Sequence, residues 1–246
     1  MTAVSVEPAL LGQTVVVIGG SGGIGLETAR LARTEGAEIV LTGRDPGRLD
    51  RAATDLRAHG TAAFDANDPS ALARFFGGLS GPIDHVLVTA GGPRYGRMLE
   101  MTDDEAREAL SDHMLLSIQV ARHAARTVRP GGSLLLVGGT GGRHITIGSG
   151  IASAVTAAMP ALTASLALEL APVRVNLIAP GFVDTPLSAA ILAEGLEARR
   201  EELRRTLPIG RVVGPADVGA LAVHLMINTA ITGATYDVDG GQQFVA

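Results

Sequence analysis

The chain has 246 residues, 46% hydrophobic but only 3% aromatic, so one large α/β domain or two small ones must be filled with Ala, Val, Leu and Ile. A net charge of −5 without a basic run argues against a nucleic-acid partner, and the lack of cysteine excludes disulfides, thiol chemistry and thiolate metal sites. All 20 basic residues are arginine, so any mechanism that needs a lysine is excluded. The start, MTAVSVEPALLGQ, has Glu7 and Pro8 and no basic region, unlike a secretory signal. No apolar run reaches the ~18 residues of a membrane span without a polar or helix-breaking residue. A soluble, cytoplasmic protein with no membrane partner is therefore expected.

In chain order, TVVVI (Thr14–Ile18) predicts a buried strand, followed by a glycine-rich turn and a helix to about Thr34. A second strand is expected over 38–42 and an amphipathic helix over 46–59, with Pro46 at a favoured first-turn position. A weak strand at 61–64, a short helix at 70–76 and a strand at 85–89 come next. Thr102, with Asp103, Asp104 and Glu105 behind it, caps a long helix to about residue 128, ended by RPGG. Strands at 133–137 and 174–178 flank a helix at 150–170 whose only charged residue is Glu169. A helix at 215–226 and a strand at 235–238 complete the chain.

This alternation predicts a single doubly wound α/β domain over 1–246, of Rossmann type, with a mostly parallel seven-stranded sheet. Residues 182–210, with the charged run EARREELRR, break the rhythm and read as a lid-like surface insertion.

VVVIGGSGGIG places Gly19, Gly20, Gly22, Gly23 and Gly25 between a strand and a helix. A sharp turn there needs positive φ and close backbone approach, which glycine permits. The helix start that follows offers free N–H groups to an anion. Two registers fit: Gly20, Gly22 and Gly25 as G-x-G-x-x-G, or Gly19, Gly23 and Gly25 as G-x-x-x-G-x-G. In this setting the turn reads as nucleotide-binding; the alternative is a glycine-rich turn without ligand. A ribose discriminator is expected ~20 residues further on, at the end of the second strand. There LTGRD offers Gly43 for space and Arg44, whose planar fork suits a 2′-phosphate, so NADP(H) is expected over NAD(H). Asp45, set against a 2′-hydroxyl, is the opposite reading, and Arg44 as a solvated loop charge is a third.

Asp65 and Ala66 after the third strand, Ala90, Gly91 and Gly92 after the fourth, and NLIAPGFVDTP after the sixth all fall at carboxyl ends of strands. Open α/β sheets bind ligands there. With these motifs in place the sequence resembles the short-chain dehydrogenase/reductase family over nearly its whole length. IGGSGGIG is similar to that family's T-G-x-x-x-G-I-G, VTAG to its N-N-A-G, and RVNLIAPGFVDTP and ITGATYDVDGG to its C-terminal patterns. The resemblance implies that Gly19, Ser21, Gly23 and Ile24 contact the pyrophosphate and Arg44 the 2′-phosphate. It puts Asp65 and Ala66 at the adenine, Ala90 and Gly91 at the adjoining ribose, and Pro180, Gly181, Val183 and Thr185 at the nicotinamide end.

The family's chemistry uses Y-x-x-x-K, which a chain without lysine cannot contain. Lining up the motifs puts Ala152 at the Tyr and Thr156 at the Lys, Gly139 at the helper Ser and His113 near the helix Asn. Other proton donors are Tyr95, otherwise a loop aromatic, and His144, otherwise structural. Tyr236 reads as packing. Arg94 and Arg143 either bind an anionic substrate or are solvated. No His, Asp and Glu set has metal spacing, and no metal is expected. Two classes of function remain: an oxidoreductase moving a hydride to or from a carbonyl- or alcohol-type small molecule, or a non-catalytic nucleotide-binding subunit or regulator. The all-round apolar helix at 150–170 implies a covering surface, and the resemblance implies a homodimer or homotetramer built on it and the preceding long helix.

Overall fold

β1 (Thr14–Ile18) lies inside the sheet, flanked by β2 (Glu38–Gly43) and β4 (Ile83–Val88). The computed structural model describes residues 7–143 and 145–245. With β3 (Gly60–Ala63), β5 (Val128–Val137), β6 (Arg174–Pro180) and β7 (Thr235–Val238), the strands run in the order β3-β2-β1-β4-β5-β6-β7. Every pairing is parallel. β1 reads as an unbroken β-branched run because both of its faces are covered. Val16 and Ile18 face one core with Val86, Leu134 and Leu136, beneath α5 (Leu116–Thr127) and α6 (Gly150–Glu169). Val15 and Val17 face the other, beneath α1 (Gly23–Thr34), α2 (Pro46–Leu56) and α9 (Pro215–Ile227). This is the doubly wound arrangement that the alternation predicts.

Of the boundaries that differ from expectation, four show a local cause or a new element. The long helix over 102–128 is three pieces: α4 (Asp103–Leu110), capped by a reciprocal Thr102–Glu105 box, a π-helical turn at Ser111–Leu115, and α5. α2 stops at Leu56 because Arg57 takes a left-handed φ of 49°. α3 (Pro69–Gly77) begins one residue early because Asp68 accepts from the N–H groups of Ser70 and Ala71. β5 starts at Val128, so RPGG lies inside a strand; Pro130 is tolerated there beside a register shift opposite Ile83. Asp84, buried at that irregularity, accepts from the Thr14 N–H at 2.7 Å and pairs with Arg129.

Arg174 opens β6 with its side chain buried at 6% exposure. Its guanidinium donates to the carbonyls of Leu225 at 2.7 Å, Met226 at 2.8 Å, Asn228 at 3.1 Å, Ile231 at 3.3 Å and Gly131 at 3.4 Å. These include the carbonyls left open at the end of α9, where a cation is favoured. Asn176 fastens the same connection through Ile231 and Ala234. Burial pulls the Arg174 pKa down.

The insertion at 182–210 is ordered into α7 (Pro186–Leu192), a 3₁₀ turn and α8 (Leu196–Thr206). It is held to the body by buried Leu203 and Leu207 and by the Val183–Val213 bridge, and is braced internally by Arg200 gripping both Asp184 oxygens at 2.9 and 2.7 Å.

α6 departs from one expectation. By length and composition it is long and apolar enough to cross a membrane, although Pro160 interrupts it. It is only partly buried within the chain. Val155, Met159, Thr163 and Leu166 face inward, while Ala154, Ala157, Ala161 and Leu168 form an exposed stripe, with Leu168 83% exposed.

Candidate functional site

The sheet reverses strand order between β1 and β4, which opens a crevice at the carboxyl ends of these strands. The glycine turn after β1 is built into it by contacts that leave no room for side chains. A Cβ on Gly19, whose φ is 100°, would lie 2.7 Å from the Ala90 nitrogen and the Thr89 hydroxyl. A Cβ on Gly25 would lie 2.4 Å from the Gly19 carbonyl oxygen. Thr89 donates to that same oxygen at 3.1 Å, and the N–H groups of Thr89 and Ala90 both donate to Ile18. On the other side the Gly20 N–H reaches the Thr42 carbonyl at 2.8 Å. Of the two possible registers, Gly19 and Gly23 carry the positive φ values, 100° and 54°, whereas Gly22 is extended.

Three of the other expected positions, Gly43, Ala90 and Thr185, meet this turn. Ser21 packs against Gly43, where a Cβ would come within 2.9 Å of its hydroxyl. Thr185 lies 3.5 Å from the place of a Gly23 Cβ, beside Ile24, and Leu187 covers Gly92. Pro180 is buried and accepts from the Thr140 N–H; Gly181 fits tightly against Asp239 and Gln242; Val183 is buried. Thr185 also caps α7 reciprocally with Ser188, which commits part of its hydroxyl. At the far side Gly91 has a φ of 91° and Ala90 packs on the core. Ala66 is buried, and the Asp65 carboxylate accepts from the Asn67 N–H.

Arg44 is exposed and has no ion-pair partner among the described residues. Asp45 is the N-cap of α2, one carboxylate oxygen accepting from the Arg48 N–H at 2.9 Å. The Asp45–Pro46 pair carried that signal in the sequence.

Arg143 is not available to an anionic substrate: both its terminal nitrogens reach Asp237, and one also donates to Gln243 at 2.8 Å. Arg94 pairs with Glu108 at 3.2 Å. Tyr236 lies in β7 opposite Ile178 and packs on the core. Tyr95 is 58% exposed, and partial burial pushes its phenol above the ordinary range, so it stays protonated. Its loop is tied by the Gly96 N–H to the Gly148 carbonyl, just ahead of α6. His144 lies outside the described residues. Among those described, no His, Asp and Glu cluster gathers to hold a metal ion.

A family model described as Enoyl-(Acyl carrier protein) reductase matches residues 19–243, spanning the glycine turn, the crevice and the insertion. The chain belongs to the short-chain dehydrogenase/reductase family. Its oxidoreductase relatives include Oxidoreductase UcpA of Escherichia coli (strain K12), 30% identical over 94% of this chain and 95% of that protein. Carbonyl reductase family member 4 of Xenopus tropicalis is 29% identical over 92% and 96%. Among solved structures, a small-chain dehydrogenase in complex with NADPH matches with a TM-score of 0.80 and 28% identity, over 94% of this chain and 99% of that one.

Gly139, Ala152 and Thr156, three of the positions expected from the resemblance to match the family's reacting groups, lie near one another. A Cβ on Gly139 would lie 3.4 Å from the Thr156 methyl and 3.6 Å from the Pro180 carbonyl. Ala152 is half-buried one helical turn before Thr156. The Thr156 hydroxyl turns back onto its own helix, donating to the carbonyls of Ala152 at 2.9 Å and Ser153 at 3.1 Å. His113 falls in the π-helical turn, an irregularity of the kind frequent at functional sites, which the sequence reading did not foresee.

Proposed function

We propose that the chain is an NADP(H)-binding oxidoreductase with a degenerate active site, moving a hydride to or from a carbonyl- or alcohol-type small molecule. The observation that carries this is the side-chain-free cradle at Gly19, Gly25 and Gly43. It faces Ala90 on one side and Ser21 on the other. Such crowding costs folding freedom at each glycine and makes sense where a ligand must approach backbone closely. The residues fit a dinucleotide phosphate: Ser21, Gly23 and Ile24 hold the pyrophosphate, Arg44 the 2′-phosphate, and Asp65 and Ala66 the adenine. Ala90 and Gly91 take the adjoining ribose, and Pro180, Gly181, Val183 and Thr185 the nicotinamide end. When bound, NADP(H) supplies or accepts the hydride.

Preference for NADP(H) over NAD(H) rests on the free charge of Arg44, on the capping role of Asp45, and on relatives solved with NADPH, including BdcA (TM-score 0.84, 26% identity). Arg44→Ala is expected to raise the Kd for NADPH by about 10- to 100-fold, the loss of a charge-assisted phosphate contact, and that for NADH by less than threefold. Fluorescence titration of both cofactors measures this; equal weakening would remove Arg44 from the role.

The chain's own residues do little proton chemistry. Ala152 has no proton to give, and the uncharged, back-bonded Thr156 cannot depress a neighbour's pKa as an ammonium does. Tyr95, on the loop beside Gly148, and His144 are the candidate donors. A second reading, a non-catalytic nucleotide-binding subunit, is favoured by these replacements and by the intact glycine cradle.

The exposed stripe of α6 supports a homo-oligomer, dimer or tetramer, formed with α4 and α5. Its small residues let a second helix approach closely, and Leu168 gives it apolar area. Light scattering should give a mass of at least twice 25.1 kDa. A mass of one chain across a wide concentration range is the contrary result.

A further inference from the structure

We infer that Gln242 is a positioning residue for the nicotinamide of NADP(H), holding the backbone after β6 in the shape that receives the ring. This deepens the cofactor reading proposed above and rests on it.

The observation is where the chain goes after β7. The turn at 239–243 folds back against the segment that follows β6. The Gln242 side-chain oxygen accepts the Phe182 N–H at 2.8 Å, between Gly181 and Val183. A Cβ on Gly181 would lie 2.7 Å from that same oxygen and 2.7 Å from the Asp239 Cβ, so the two segments meet with no space for a side chain. The Gly181 N–H donates to the Val238 carbonyl at 3.2 Å. The turn is itself braced: buried Asp239 takes the N–H groups of Gly241 at 2.8 Å and Gln243 at 3.1 Å. Gly240 and Gly241 seat it on Ile209 and Pro208, at the end of the insertion.

A second clasp fixes its far side. Gln243 accepts from Arg143 at 2.8 Å and donates to Asp237 at 3.2 Å, and Arg143 also pairs with Asp237. The turn is thereby joined to the loop after β5, whose Thr140 N–H donates to the Pro180 carbonyl at 3.0 Å. One element thus fastens both loops at the nicotinamide end. At positions 152 and 156 α6 gives that end no polar hold, since Ala152 has no polar side chain and Thr156 returns to its own helix. The ring is then received by the backbone of 180–185, whose shape depends on the Gln242 contact. A segment held in its bound shape beforehand loses less freedom when the ligand arrives.

The test is Gln242→Ala, titrated by calorimetry with NADPH and with 2′-phospho-ADP-ribose, the same dinucleotide without its nicotinamide. Both affinities are read on one sample, so their ratio does not depend on how much of the variant is folded. The expected result is a Kd for NADPH raised roughly fivefold, with that of 2′-phospho-ADP-ribose within about twofold, the loss of one neutral hydrogen bond that only the nicotinamide feels. The fluorescence of bound NADPH, which comes from the nicotinamide, should shift towards that of free NADPH. Gln242→Glu keeps an acceptor for the Phe182 N–H and should bring the NADPH affinity back to within about twofold of wild type. An unchanged NADPH Kd in Gln242→Ala, or equal weakening of both ligands, would overturn this inference and leave the cofactor reading standing. A wild type that binds the two ligands equally well would do the same. A wild type that binds neither would overturn the cofactor reading along with it.

Discussion

Gly139→Ser, Ala152→Tyr and Thr156→Lys, introduced together, are expected to raise NADPH-dependent ketone reduction by about 10²-fold or more over the wild type, the lower end of what positioned acid–base groups supply. Wild-type turnover of ordinary ketones and aldehydes should be near background, because none of the three native residues holds an available proton. The geometry admits the change. A side chain at Gly139 meets only ordinary contacts, 3.4 Å to Thr156 and 3.6 Å to the Pro180 carbonyl. Replacing Thr156 removes two hydrogen bonds that merely return to its own helix. Ala152→Tyr with Thr156→Lys but without the serine should gain less, since the substrate oxygen then lacks its second donor. NADPH oxidation across a carbonyl panel measures all three proteins. Robust wild-type turnover, or a folded, NADPH-binding triple variant no faster than wild type, would contradict the placement of the lost residues. If the wild type has a natural substrate, Tyr95→Phe or His144→Ala should slow its turnover while leaving NADPH affinity nearly unchanged.

The second large effect concerns the frame. Arg174→Ala is expected to destabilise the chain by about 3–5 kcal/mol, the range for removing one member of a buried charged network. Five carbonyls, from α9, the α9–β7 connection and β5, lose their donor at once, and those at the end of α9 have no other partner within the helix. Arg174→Met keeps much of the volume and none of the donors, so it should lose nearly as much. Urea unfolding followed by circular dichroism gives both values. A loss under about 1 kcal/mol would show that water or a shifted helix end satisfies those carbonyls.

The strand positions along the chain and the glycine turn were legible because their signals are local. TVVVI can only be a doubly covered strand, and the positive φ of Gly19 and Gly23 matches the register that spells G-x-x-x-G-x-G. The cap at Asp45 was also local, written as Asp before Pro46, but a charge next to Arg44 invited a ligand role instead. The π-helical turn at Ser111–Leu115 was not legible, since its wider hydrogen-bond pattern leaves no mark in composition or apolar spacing. Nor was the fate of Arg143, whose partner Asp237 is 94 residues away. The outward stripe of α6 was half legible. Its apolar character showed in the sequence, but which residues face out depends on packing against the sheet.

A crystal structure of the wild type grown with saturating NADPH tests most directly whether the cofactor cleft has survived the loss of the family's acid. The account predicts a dinucleotide along the ends of β1, β2 and β4, its pyrophosphate at Ser21, Gly23 and Ile24 and its 2′-phosphate at Arg44. It also predicts no ionisable side chain from positions 139, 152 or 156 at the nicotinamide end. A crevice empty of cofactor at that concentration, or a 2′-phosphate held away from Arg44, would contradict it.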